Sequence, residues 1–169
     1  MVELFFGYFS IAVVLFSLLV VLSKNPVHSV LWMLVLFFHI AGIFLLLNAE
    51  FLAATQIIVY AGAILVLFLF VIMLLNLRQE LTLEQWIDGW PAGLSIALAV
   101  LIMLILSVGT IAVKPVGPWS IEAVKKVTQT KAFGKVLYTE YLLPFEVASL
   151  ILLVAIIGAV VLAKKKLKS

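Results

Sequence analysis

Residues 51–77, FLAATQIIVYAGAILVLFLFVIMLLNL, form one apolar stretch of 27 residues. A helix of this length extends about 40 Å, whereas the hydrocarbon core of a bilayer is about 30 Å thick. The stretch is therefore predicted to be an overlong membrane-spanning helix that absorbs its excess by tilt or by a local distortion. Ala61, Gly62 and Ala63 make its centre thin, which favours either a close helix crossing or an irregular turn.

A polar pattern runs through the same stretch. Gln56, Tyr60 and Ala63 follow one another at positions i, i+4 and i+7. This spacing places three side chains on one face of a regular α-helix. The pattern therefore predicts a polar and small-residue stripe that faces a neighbouring helix.

Four other segments are long and apolar enough to cross a membrane, because each provides about 20 suitable residues. Together with 51–77, the predicted spans are 4–22, 27–47, 94–113 and 142–163. Pro26 and Pro91 suit the first turns of their helices, where a missing N–H costs nothing. The prediction is an all-α integral membrane protein with five transmembrane helices that form a single membrane domain over residues 1–169.

Composition supports a lipid environment. Hydrophobic residues make up 66% of the chain and charged residues 11%, against about 45–50% and 25% in soluble domains. The absence of cysteine excludes thiolate metal sites, cysteine-ligated iron–sulfur clusters and disulfides. The net charge of +3 does not indicate a nucleic-acid partner, because four basic residues form a tail directly after a span: Lys164, Lys165, Lys166 and Lys168.

The same tail predicts the orientation. A compact cluster beside a span outweighs lysines spread through a long loop, so we expect a cytoplasmic C-terminus and an external N-terminus. Residues 114–141 then form an outer loop. Within it, Ser120 suits a helix N-cap and Ile121, Val124 and Val127 recur every three residues, which fits either a short surface helix or an ordered loop.

Ionisable residues inside the spans are few. Glu146 is the only carboxylate, and it is predicted to occupy the first turn of the fifth helix, either as a helix anchor or as part of a proton path. His39 is either a hydrogen-bonded packing residue or a proton relay, and His28 suits the membrane interface. Spacings typical of metal ligands or of an acyl-transfer triad are missing from the sequence, so no catalytic or metal-binding residue is predicted.

Two stretches carry a family resemblance. Residues 56–75, QIIVYAGAILVLFLFVIMLL, and residues 137–149, LYTEYLLPFEVAS, resemble subunit J of the bacterial proton-pumping NADH-quinone oxidoreductase, the counterpart of subunit six of mitochondrial NADH dehydrogenase. Asn25-Pro26, Gly158-Ala159 and the basic tail agree with this resemblance. The fourth span and the lysine-rich loop add little to it.

The resemblance implies a coupling subunit of the inner-membrane complex. NAD, FMN, iron–sulfur clusters and quinone would belong to the whole complex, and this chain would hold no cofactor of its own. Lipid and subunits A, H, K and N would surround it. In this family the third helix carries a π-bulge near residues that resemble Tyr60 and Gly62, linked to switching between resting and active states. We therefore expect one i→i+5 turn at residues 60–64, with Gln56 and Ala63 beside it.

Two other functions remain open. The chain suits the equivalent subunit of a membrane-bound hydrogenase or cation antiporter complex, where the electron donor is not NADH. An independent small transporter is the third hypothesis, but such a protein needs a substrate site, usually a charged group or broken helix near the midplane.

Overall fold

The structure is a computed structural model that describes residues 1–75, 90–108, 124 and 126–164. It divides into two compact units, Met1–Ser120 and Ile121–Ser169. Five helices are long and apolar enough to span a membrane, and we number them first to fifth in chain order. They are Val2–Leu22, Pro26–Leu46, Glu50–Leu74, Trp90–Val108 and Leu142–Ala163. The predicted all-α architecture with five spans is confirmed.

A tight turn joins the first and second helices. The Asn25 side chain accepts a hydrogen bond of 3.0 Å from the backbone N–H of Val27 and caps the second helix. Pro26 is the first residue of that helix, as predicted, because its fixed φ suits this position. The Ser29 hydroxyl then donates to the Val20 carbonyl at 2.6 Å, which ties the two helices together near the turn.

The first and second helices also cross closely at Gly42. A Cβ atom at this position would lie 2.7 Å from Cζ and 2.9 Å from Cδ1 of Phe9. Real atoms do not approach so closely, so the Phe9 ring occupies space that only glycine leaves open. Small residues allow helices in membranes to approach in this way, because van der Waals packing is a main source of their association.

The third helix consists of three segments. It begins as an α-helix over Glu50–Thr55, continues as a π-helix over Gln56–Ile64 and returns to an α-helix over Leu65–Leu74. Leu75 has an extended backbone, with ψ of 115°, so the helix ends before the predicted Leu77, which lies outside the described residues.

A small core lies between the second and third helices. Val30, Leu65 and Ile72 are buried at its centre. Partly buried apolar residues surround them: Val27, Met33, Leu34, Phe37 and Leu69.

The fourth helix and the second unit bury little. Side chains from Trp90 to Leu106 are exposed, and the fourth helix begins four residues earlier than predicted because Pro91 is tolerated in its first turn. In the second unit, a short helix over Gln129–Thr139 precedes the fifth helix. The predicted start of a surface helix at Ser120 and Ile121 lies outside the described residues.

Candidate functional site

The π segment changes which residues of the third helix face the second helix. The buried positions along the third helix are Ala53, Gln56, Ala61, Leu65 and Ile72. Their spacing is that of an α-helix except for the step of five residues from Gln56 to Ala61. The Leu65 N–H correspondingly bonds to the Tyr60 carbonyl, five residues back. The segment therefore introduces one extra residue into the helix and keeps both of its ends packed on the same face.

The predicted single stripe of Gln56, Tyr60 and Ala63 is wrong. Gln56 is buried, whereas Tyr60 is 46% exposed and Ala63 is also exposed. The prediction assumed that each residue rotates the helix by about 100°. This holds in an α-helix but not where hydrogen bonds run i→i+5. Ala61 takes the inward position that the α-helical pattern assigned to Tyr60.

Tyr60 packs at the edge of the second helix. Its ring meets Phe37 edge to face, with ring centroids 6.0 Å apart and an interplanar angle of 79°. Such an arrangement is favourable by about 0.5–1.5 kcal/mol beyond the burial of area. Because Phe37 also packs on the core, this contact connects the middle of the π segment to the second helix.

Gly62 is constrained by its own helix. A Cβ atom here would lie 3.3 Å from the Ile57 carbonyl oxygen, and no atom of another helix in the described chain lies within 4 Å. Within the described part of the chain, Gly62 therefore makes no close contact with another helix. The Ile57 carbonyl is five residues back, so its approach to residue 62 is a property of the π geometry.

His39 lies between the first and second helices with both ring nitrogens in contact. Its Nδ1 lies 2.8 Å from the Val35 carbonyl oxygen and therefore donates, which leaves Nε2 as the acceptor for the Tyr8 hydroxyl at 3.3 Å. Phe16 packs on the ring with centroids 4.9 Å apart. The ring thus contacts a backbone carbonyl of its own helix and a hydroxyl of the first helix.

Glu146 is the fifth residue of its helix, beyond the first turn, so its predicted place in that turn is wrong. The helix begins at Leu142, two residues before Pro144, because any of the first helical positions tolerates proline. The side chain is exposed, and the Ser149 hydroxyl donates a hydrogen bond of 2.7 Å to the Glu146 backbone carbonyl.

The Gly42 crossing and the Tyr8 hydroxyl were not predicted. The adjacent small residues Ala41 and Gly42 inside the second span are a sequence signal for close packing. A tyrosine such as Tyr8 inside an apolar span is a signal for a hydrogen-bond partner elsewhere in the protein.

The chemical capacity of these groups is limited. Within residues 1–75, 90–108 and 126–164, no three His, Asp or Glu side chains come together to hold a metal ion. A groove of about 400 Å³ between the short helix and the start of the fifth helix is lined by apolar and aromatic residues, including Phe133, Tyr141 and Phe145. The distinctive feature of the described chain is a backbone irregularity, not a reactive cluster.

These features define a helical, multi-span membrane protein whose unusual element is a π segment in its third helix. The chain belongs to the family described as NADH-ubiquinone/plastoquinone oxidoreductase chain 6, which it matches over residues 16–162. It is thus a subunit of the membrane part of a multi-subunit enzyme complex, the other subunits are its partners, and it is a multi-pass inner-membrane protein.

Three relatives illustrate the similarity. NADH-quinone oxidoreductase subunit J of Rickettsia felis is 42% identical over 165 residues, which cover 96% of this chain and 80% of the relative. Subunit J of Rhodobacter capsulatus is 45% identical over 159 residues, covering 93% and 79%. NADH-ubiquinone oxidoreductase chain 6 of Chondrus crispus is 41% identical over 169 residues, covering 95% and 82%.

Proposed function

We propose that this chain couples quinone reduction to proton translocation in an NADH:quinone oxidoreductase and holds no redox centre of its own. The observation that carries the proposal is the π segment Gln56–Ile64 in a chain of this family. NAD, FMN, iron–sulfur clusters and quinone then belong to other parts of the complex. The lack of cysteine supports this for iron–sulfur clusters, because cysteine thiolates are their usual ligands.

The π segment can act as an element with two arrangements. Removing one extra residue from a turn rotates everything beyond it by about 100°. Val66, Phe68 and Phe70 are all at least 41% exposed, so such a rotation changes the surface they present to neighbouring subunits. The Phe37–Tyr60 contact and the Ile57–Gly62 approach change at the same time. A small difference in energy between the two arrangements is therefore sufficient to control a large repacking.

Substitution of Gly62 by valine tests this role. The branched side chain crowds the Ile57 carbonyl in the π segment and thus favours the α-helical arrangement. We expect the complex to assemble while coupled quinone reductase activity falls severalfold, because a bias of about 1 kcal/mol shifts a two-state equilibrium about fivefold. Measurements are the amount of complex on a native gel, NADH:quinone reductase activity and proton pumping in membrane vesicles.

Gly158→Val provides the matched control. Gly158 lies in the α-helical fifth helix, and no atom of the described residues lies within 4 Å of the Cβ position there. If Gly62→Val and Gly158→Val are both active and coupled like the wild type, the π segment has no role in coupling.

The orientation of the chain is part of the proposal. With the N-terminus outside and the C-terminus in the cytoplasm, the segment 114–141 is external. Cysteines introduced at Lys131 and Lys166 distinguish the two topologies, since an impermeant maleimide applied to right-side-out cells should label only position 131. Labelling of position 166 alone requires the opposite orientation.

Glu146 and His39 take structural roles in the proposal. Glu146 anchors the outer end of the fifth helix, so Glu146→Gln should lower the amount of assembled complex more than it lowers pumping per complex. Normal assembly with failed pumping would instead place Glu146 in a proton path. His39 holds the first helix to the second through Tyr8.

Subunits A, H, K and N are the proposed neighbours. The hydrogenase and antiporter alternatives keep the same membrane role with another electron donor, but the relatives described above are named for NADH and quinone or ubiquinone. Purification of the native complex separates these functions: flavin- and NADH-binding subunits support the proposal, hydrogenase subunits support the alternative, and a chain without partners supports a transporter.

A further inference from the structure

The fifth helix carries one charge in 22 residues, and that charge is Glu146. The residue is four positions after the first, so it lies about 6 Å along the helix from its start. A charged side chain within a span is unfavourable unless it is paired or reaches water. Pairing with a group of opposite charge would stabilise the carboxylate at this position.

The helix itself offers no compensating group. Leu142 and Leu150, one turn before and after Glu146, are apolar. Ser149 is the nearest hydroxyl on the same side, but it donates to the Glu146 backbone carbonyl. The carboxylate is thus surrounded on its own helix by leucine side chains.

The short helix Gln129–Thr139 packs on the opposite side of the fifth helix from Glu146. The groove between the two helices is lined on the fifth helix by Pro144, Phe145 and Ala148. Pro144 and Ala148 are each two residues from Glu146, which puts them about 160° around the helix from it. Within the described part of the second unit, none of Lys126, Lys131 and Lys135 forms an ion pair with the Glu146 carboxylate. Lys131 and Lys135 are exposed.

The face around Glu146 is uncovered within the described part of the second unit. Leu142, Leu150 and Leu153 share this face and are 44%, 60% and 52% exposed. In the complex a neighbouring subunit is available to cover it. A carboxylate surrounded by leucines selects a neighbour with a complementary charge, because ion pairs with ionised partners on both sides are stronger than neutral hydrogen bonds.

We propose that the Glu146 carboxylate pairs with a lysine or arginine of a neighbouring membrane subunit, and that the Leu142–Leu150–Leu153 face packs against the helix that carries it. The inference depends on the chain being part of the complex and not on coupling through the third helix. Its readout is therefore the amount of assembled complex and the identity of the neighbour, not pumping.

The first experiment changes the charge in the full chain within the native complex. Glu146→Lys should lower the amount of assembled complex at least about tenfold, because a buried cation left facing another cation is strongly unfavourable. Glu146→Gln keeps the shape of the side chain and should lower assembly less. If both variants assemble like the wild type, the carboxylate is simply solvated at the interface and the proposal is wrong.

The second experiment identifies the neighbour. A photoreactive amino acid at position 150, on the Glu146 face, should capture one membrane subunit at a segment that contains lysine or arginine. The same probe at position 151 is a matched control, since Ile151 is 64% exposed and Leu150 60%, but it points about 100° away. Capture of lipid alone at position 150, or of a segment without a basic residue, overturns the proposal.

Charge exchange then tests the pair itself. Replacing the captured basic residue by glutamate should restore assembly of Glu146→Lys to within about twofold of the wild type, because the pair is re-formed with reversed charges. The same exchange at Lys114 or Lys125 of this chain should not restore it. Rescue by either of these lysines means that the partner is the chain's own outer loop and overturns the proposal.

Discussion

The second, third and fifth helices are similarly apolar, yet among these described helices only the second and third contain buried side chains. Seven residues of the second and third helices are buried: Val30, Ala41, Ala53, Gln56, Ala61, Leu65 and Ile72. The fifth helix has no buried residue, and neither does the described part of the fourth. The second and third helices therefore pack largely through their own side chains, whereas the fifth helix buries no side chain within the described part of its own unit.

Small residues occur both in the second and third helices and in the fifth helix. Ala41, Ala53 and Ala61 are buried where the second and third helices pack. Gly158 and Ala159 in the fifth helix are exposed, and within the part of the chain that the structure describes no atom lies within 4 Å of the Gly158 Cβ position. Small residues make close helix packing possible, but they do not indicate whether the partner helix belongs to the same chain.

The largest effect is expected at Gly42. Gly42→Val places a branched side chain in the space of the Phe9 ring, so we expect the free energy of unfolding to fall by about 2–3 kcal/mol. Denaturant titration or steric trapping of the full chain in bilayers measures this change. Gly7→Val is the control, because the Cβ position of Gly7 has no neighbour within 4 Å among the described residues.

A second substitution at Phe9 sharpens the same test. Phe9→Ala combined with Gly42→Val should recover part of the loss, because the two side chains compete for one space. Additive losses in the double variant would show that Gly42 matters for another reason.

The next largest loss of stability is expected for Leu65→Ala, with Leu101→Ala as its control. Leu65 is 3% exposed and Leu101 is 53% exposed. The cavity at position 65 should cost about 1–2 kcal/mol in the reconstituted chain, less than in water because lipid is as apolar as leucine. Leu101→Ala should change the stability of the isolated chain very little. Equal losses at both positions would remove the contrast between the two groups of helices.

The smallest effect is expected for Tyr8→Phe, which removes one hydrogen bond to His39. Hydrogen bonds between membrane helices contribute on average about 0.6 kcal/mol, so a loss of this size is expected. Tyr138→Phe is the matched control, because no hydrogen bond joins the Tyr138 hydroxyl to the described residues. If Tyr138→Phe lowers the stability more than Tyr8→Phe does, the Tyr8–His39 hydrogen bond makes no specific contribution to the packing of the two helices.

Hydropathy predicted the five spans because a membrane imposes a length and a composition on each helix. The Asn25-Pro26 start of the second helix also followed from local chemistry. Sequence reasoning placed a π turn at Tyr60, but the segment already begins at Gln56. The apolar pattern does not determine which backbone groups form hydrogen bonds with each other. The first and last residues of the π segment could therefore not be predicted from it.

The site residues were harder to predict for the same reason. Tyr60 was assigned the inward position held by Ala61, since an α-helical wheel cannot allow for an extra residue in a turn. Gly42 was missed because its importance depends on Phe9, which lies 33 positions earlier in the chain. Contacts between distant positions of this kind are absent from local patterns.

The five-residue step between Gln56 and Ala61 also has a consequence for insertions and deletions. Removing one residue between these two positions would shorten the step to four, the ordinary α-helical interval. Ala53 and Gln56 on one side, and Leu65 and Ile72 on the other, would then share one face of an uninterrupted α-helix. Anywhere else in this helix a deletion turns the following residues away from the second helix by about 100°. At residues 57–60 alone, a chain shorter by one residue keeps the same buried contacts.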